Sequence, residues 1–182
     1  MAFRLTICGL DELPGLAEGG VTHVLSILDP EWPAPAAFAR FAPHRRLELR
    51  FHDVVDPAPA WVAPSSGDVE RLLAFGRELD GAPAPHLLIH CHAGVSRSTA
   101  CALLILAQAD PQRPAAELLA AVVRLRPRAW PNLRLIELGD ARLGRGGALV
   151  AAARAHYRAA AERDADLAAA MIAGGRGREV AP

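Results

Sequence analysis

The chain has 182 residues, enough for one domain with a full core. Its 20 basic residues balance 20 acidic ones, so no overall field favours nucleic acid or an anionic membrane, and 52% hydrophobic residues exclude wholesale disorder. Every basic residue is Arg; without a Lys, a Walker-type nucleotide loop and Schiff-base or pyridoxal chemistry are excluded.

In chain order, Leu5–Cys8 reads as a short strand and is followed by a turn-rich piece with Pro14, Gly15, Gly19 and Gly20. Val21–Leu28, β-branched and aliphatic, reads as a buried strand that Asp29-Pro30 ends. Trp32, Pro33 and Pro35 force a loop or a short helical turn near Ala36–Phe41. In His44–Phe51, Leu47, Leu49 and Phe51 alternate with charged residues, which predicts a third strand. Pro57, Pro59 and Pro64 mark a long irregular loop, the kind that often carries function.

Ser66 is a fair N-cap for a helix over about 67–79, and Leu87–Ile89 is the next strand. Arg97–Ala109 reads as a nearly all-apolar, hence central, helix. Further helices are predicted from Pro114 to about Arg126, from Pro131 to Gly144 and from Ala148 to Ile172. The organisation expected is a main domain over 1–145, an Ala-rich helix over 146–173 packed on it, and a frayed tail over 174–182. The fold class expected is α/β, a central mixed and largely parallel sheet flanked by helices.

No apolar run approaches the ~20 residues that a bilayer-crossing helix needs. Met1–Cys8 lacks the apolar core of a secretion signal. Cys8, Cys91 and Cys101 are too few and too scattered for a disulfide framework, so a reducing, cytoplasmic setting is expected.

The informative stretch is His90-Cys91-His92-Ala93-Gly94-Val95-Ser96-Arg97-Ser98, set between an apolar strand and an apolar helix. Such a turn points free backbone N–H groups and the positive helix end into the loop, an anion site. Residues His92, Ala93, Gly94, Val95, Ser96 and Arg97 would line it. Cys91 at its entrance is placed where the dipole and Arg97 favour a thiolate. Arg97 suits bidentate contact with phosphate, and Gly94 supplies backbone freedom. Phosphoryl transfer to Cys91 would need an acid for the leaving oxygen. Asp53, just after a strand, is preferred over Asp56, which lies further into the loop. Ser98 could donate to the departing sulfur.

The run His90-Cys91, five residues, then Arg97-Ser98 resembles the signature of the cysteine-dependent protein tyrosine phosphatases, and its setting resembles the compact dual-specificity branch. The likeness extends from about Val21 to Leu143 and includes the Pro131-Asn132 helix start. It implies a sheet flanked by helices, no metal, no cofactor, and a phosphocysteine intermediate. Cys91, Arg97, Asp53 and Ser98 would be nucleophile, phosphate-binding arginine, general acid and assisting hydroxyl. A phosphorylated protein or a small phosphate ester would be the partner, with no nucleic acid and no membrane. The chain departs from the tyrosine-specific pattern at Trp32-Pro33-Ala34, where no Asp follows. It also lacks an Asn-Arg-Tyr loop and the two loop lysines of phosphoinositide-selective relatives, so substrate selectivity stays open.

Rival readings are a rhodanese-like sulfurtransferase, whose loop also sets a Cys among amides, and a non-catalytic phosphate-binding module. His86, His90 and His92 fit a metal poorly, since positions four apart on a strand lie about 13 Å from each other. His90 is expected to orient the loop backbone. Arg124, Arg126, Arg128 and Arg134 read as a solvated helix end, and Trp130 either lines the pocket mouth or staples a helix. Cys101 is expected in the core, and Cys8 either there or as a reversible disulfide partner for an oxidised Cys91.

Overall fold

The computed structural model describes residues 3–180. Among them, β1 (Arg4–Cys8), β2 (His23–Leu28), β3 (Arg45–Arg50) and β4 (His86–His90) form one sheet in the order β1-β4-β2-β3. All three pairings are parallel, so the mixture of strand directions expected narrows to a single direction in these residues. Parallel neighbours need crossovers. Here two are short helical turns, Leu10–Leu16 and Ala36–Arg40, and the third contains α1 (Ser66–Arg77). The interior strands β2 and β4 are buried at every position, which is why they read as continuous apolar runs.

The two faces of the sheet differ in depth. Leu87 and Ile89 of β4 face a thick helical layer, whereas Leu88 meets a thin one built from Leu13, Val21 and Phe38. The thick layer centres on α2 (Arg97–Ala109), buried from Arg97 through Ala107. Around it stand α1, α3 (Ala115–Leu125) and α4 (Leu133–Leu143), with α5 (Ala148–Arg163) behind α3 and α4. At Gly139 of α4 a Cβ would fall 2.2 Å from Leu104 Cδ2, so the missing side chain sets how closely α4 approaches α2.

Three boundaries differ from expectation, each for a local reason. Ser65, not Ser66, caps α1, because Ser65 stands three residues before Asp68 and the two close a reciprocal capping box. The Ala-rich helix breaks at Asp164, whose carboxylate accepts from Leu167 N at 2.9 Å and so starts α6 (Ala165–Met171). The tail is not frayed up to Val180. Gly175, at φ 77°, turns the chain back into α7 (Gly177–Val180), where Arg176 and Glu179 are 7% and 1% exposed. No described helix is long and apolar enough to cross a membrane.

Candidate active site

The loop from β4 into α2 sends its carbonyls outward. His92 O accepts from Leu10 N (2.9 Å), Ala93 O and Gly94 O from the Arg126 guanidinium (both 3.0 Å), Val95 O from Trp130 N (2.9 Å) and Ser96 O from Ala100 N (3.0 Å). No backbone N–H from His92 to Ser98 donates to a protein group among the described residues. With the carbonyls tied back, the amides are left as free donors at the start of α2, a site for an oxyanion. Gly94, at φ 69°, makes the curl possible; a Cβ there would lie 2.5 Å from the Cys8 carbonyl carbon.

Four predicted residues gather at this loop. Cys91 is buried, with Sγ 3.3 Å from Ser98 Oγ. Arg97 is 3% exposed; its Nη1 donates to Asp29 Oδ1 (2.6 Å) and to the Phe51 carbonyl (2.7 Å). Its Nε, also buried, has no partner among the described residues. One edge of the guanidinium is thus held and the other left to bind. Asp29 also steers His92: Asp29 N donates to His92 Nε2 at 3.3 Å, and Trp32 packs on the ring with centroids 4.5 Å apart. Burial, and then Arg97, keep the His92 imidazole below its usual pKa and hence neutral near pH 7.

Asp53 and Asp56 separate by environment. Asp53 Oδ1 accepts from Ser96 Oγ at 2.7 Å and from Asn132 Nδ2 at 2.8 Å, which brings it against the loop. Asp56 pairs instead with Arg178 at 2.8 Å and is mostly exposed. Asn132 has a second task, accepting Leu135 N at 3.0 Å as the cap of α4.

Some expectations change. Neither ring nitrogen of His90 meets hydrogen-bond geometry with a partner among the described residues; its side chain lies on the thin face against Phe38, with the Cys91 backbone near enough to favour its charged form. Burial pushes its pKa down to about 4. Arg126 is no solvated helix end. It braces two loop carbonyls and pairs with Glu12 (2.6 Å), which in turn accepts Gly9 N. Trp130 is fully buried, stacked on Tyr157 and donating from Nε1 to Glu179 at 2.6 Å, so it staples rather than lines. The thiols of Cys8 and Cys101 are buried and pushed up, that of Cys8 to about 12. No group of three or more His, Cys, Asp or Glu able to hold a metal ion occurs among the described residues.

Sequence reasoning missed Asp29, Arg176 and Glu179. Asp29 was visible only as the end of a strand. The other two sit some 80 residues beyond the motif in a Gly-rich tail, with no spacing to flag them.

No family model and no curated protein matches the chain in sequence. Solved structures do match in fold. Human DUSP28 is 19% identical over 78% of this chain and 94% of its own, with a TM-score of 0.58. The Cydia pomonella PTP-2 phosphatase is 23% identical over 76% and 84%, with a TM-score of 0.60. The Yvh1 phosphatase domain of Chaetomium thermophilum is 21% identical over 80% and 93%, with a TM-score of 0.53. This chain has the fold of the cysteine-dependent protein tyrosine phosphatases, in the compact form of the dual-specificity enzymes.

Proposed function

We propose that the protein is a phosphatase that hydrolyses phosphate monoesters, protein phosphotyrosine foremost, through a phosphocysteine intermediate. The observation that carries this reading is the loop itself: carbonyls tied outward, amides free, Cys91 at its floor and Arg97 with an unpartnered buried Nε. That arrangement suits the three charged equatorial oxygens of a phosphoryl group in transfer. The fold shared with phosphatases of known structure supports it.

In the first step the Cys91 thiolate attacks phosphorus; the P–S bond forms as the ester P–O bond breaks. Asp53 gives its proton to the leaving oxygen. In the second step water attacks phosphorus and yields its proton to the Asp53 carboxylate. The P–S bond breaks, and the Ser98 hydroxyl, 3.3 Å from Sγ, stabilises the returning thiolate. Arg97 and the amides of His92–Arg97 hold the phosphoryl oxygens throughout. Trp32, about half exposed and packed on His92, stands on the loop that follows β2 and offers an apolar surface to an aryl ester.

The test is a panel of phosphotyrosine, phosphoserine and phosphothreonine peptides, phosphoinositides and nucleotides, run with the wild type and Cys91→Ser. Turnover by the wild type, with binding but no turnover by Cys91→Ser, is the expected outcome. Wild-type rates from Cys91→Ser, or thiocyanate formation from thiosulfate and cyanide without phosphatase activity, would overturn the proposal.

A further inference from the structure

We infer that the C-terminal segment Ile172–Val180 completes the active site, with Arg176 a positioning residue that confines the acidic proton of Asp53 to one oxygen. This rests on the reading of Asp53 as general acid.

The segment carries a buried ion pair. Arg176 donates through Nε and Nη2 to the two oxygens of Glu179, both at 2.7 Å, and the pair is almost completely buried. Desolvating two charges costs free energy that an apolar pair of similar volume would not incur, so such a pair is weak evidence for stability and better evidence for placement. Every atom of this pair has a destination. Glu179 accepts from Trp130 Nε1 (2.6 Å) and from Leu133 N at the start of α4 (2.9 Å). Arg176 Nη1 donates to Ser96 Oγ at 2.8 Å and lies 3.5 Å from Asp53 Oδ2.

The hydroxyl of Ser96 links the segment to Asp53. Ser96 occupies the N-cap position of α2, where a serine side chain normally accepts an N–H of the first turn, yet it makes no capping bond. It has a single proton to donate, and Arg176 can only donate to it. Its proton must therefore go to Asp53 Oδ1, 2.7 Å away. Asn132 Nδ2 donates to the same oxygen at 2.8 Å. Oδ1 is thereby fixed as an acceptor, and a proton on Asp53 can reside only on Oδ2. Glu179 takes Arg176 Nε and Nη2, so Nη1 is the nitrogen left to face Ser96 and Asp53. On the far side Arg178 ties Asp56 (2.8 Å), the Val55 carbonyl (3.0 Å) and Glu137 of α4 (2.6 Å), holding the loop that bears Asp53.

In the first step, which kcat/KM reads, a residue that acts by aiming the acid matters only when the leaving group needs a proton. The experiment compares phenyl phosphate, which needs it, with dinitrophenyl phosphate, which does not. The variants are Arg176→Ala, Ser96→Ala, Asp53→Asn and the double variant Arg176→Ala/Asp53→Asn, each checked for folding by thermal denaturation. The expectation is that Arg176→Ala lowers kcat/KM on phenyl phosphate about tenfold, a part of the ~10²–10⁴ a general acid supplies. On dinitrophenyl phosphate it should stay within about twofold of wild type on the same principle. Adding it to Asp53→Asn should cost nothing more, because two residues acting through one group are not additive. Ser96→Ala should show the same preference for the activated ester, and it carries the test if Arg176→Ala does not fold.

Equal losses on both esters, additive losses in the double variant, or no change overturn the inference. So does a gain on both, the mark of an inhibitory strap. If Asp53→Asn itself does not discriminate between the esters, or Cys91→Ser retains turnover, the reading of the site fails first and takes this inference with it.

Discussion

Two buried arginines meet the candidate site from regions 79 positions apart, and they are used differently. Arg97, at the head of α2, has one edge held by Asp29 and Phe51 O while its Nε is unpartnered. Arg176, in the C-terminal segment, has Nε, Nη1 and Nη2 all committed to Glu179 and Ser96. A guanidinium with an open edge is built to take an incoming anion; one with every nitrogen engaged is built to hold neighbours in place. On the proposed reading the same side chain serves two purposes, decided by how many of its donors the fold has already consumed.

The strongest way to break that comparison is Arg97→Lys, which keeps the charge but loses the planar fork. Steady-state kinetics on an aryl phosphate should show a loss of about 10²–10³, the range for removing a preorganised donor to a developing oxyanion. This loss should fall equally on phenyl and dinitrophenyl esters, unlike that of Arg176→Ala. Equal sensitivity of both arginines to the leaving group would erase the distinction.

Asp29→Asn asks whether the held edge matters. It keeps the shape but removes a charge-assisted bond at 2.6 Å from Arg97. A loss of about tenfold in kcat/KM is expected, the worth of one hydrogen bond to a charged group. An unchanged KM for phosphate esters, with unchanged inhibition by inorganic phosphate, would show that Phe51 O aims Arg97 unaided.

The smallest effect is on stability and comes from buried histidines, His90 of β4 foremost. His90 is held neutral in the folded protein, its pKa pushed by burial from about 6.5 down to about 4. Between those values the unfolded chain binds the proton and the folded chain does not, so stability falls as pH drops from about 6.5 to about 4. Burial lowers His23 and His86 as well and adds slopes of the same sign. Urea denaturation at pH 7 and pH 5 should show the decline in wild type and a shallower one in His90→Phe. An equal decline in His90→Phe would assign the titration to other groups.

The strands, the order of helices and the loop with Cys91, Arg97 and Ser98 were legible in the sequence, because they depend on local chemistry. Period and β-branching mark strands, proline and glycine mark breaks, and a strand-loop-helix turn exposes its amides wherever it occurs. Asp53 was preferred to Asp56 on the same local ground, a strand end; the structure sets Asp53 against the loop and pairs Asp56 with Arg178. The partners of these residues were not legible. Asp29 holding Arg97, Arg126 bracing the loop carbonyls, and Arg176 with Glu179 turning Ser96 toward Asp53 each join residues tens of positions apart. A tail of Gly174-Gly175-Arg176-Gly177 has the composition of a frayed end, and its propensities argue for nothing else. Only packing against Trp130 and α4 gives Glu179 donors enough to be buried as a partner for Arg176, and that is a property of assembled surfaces rather than of spacing.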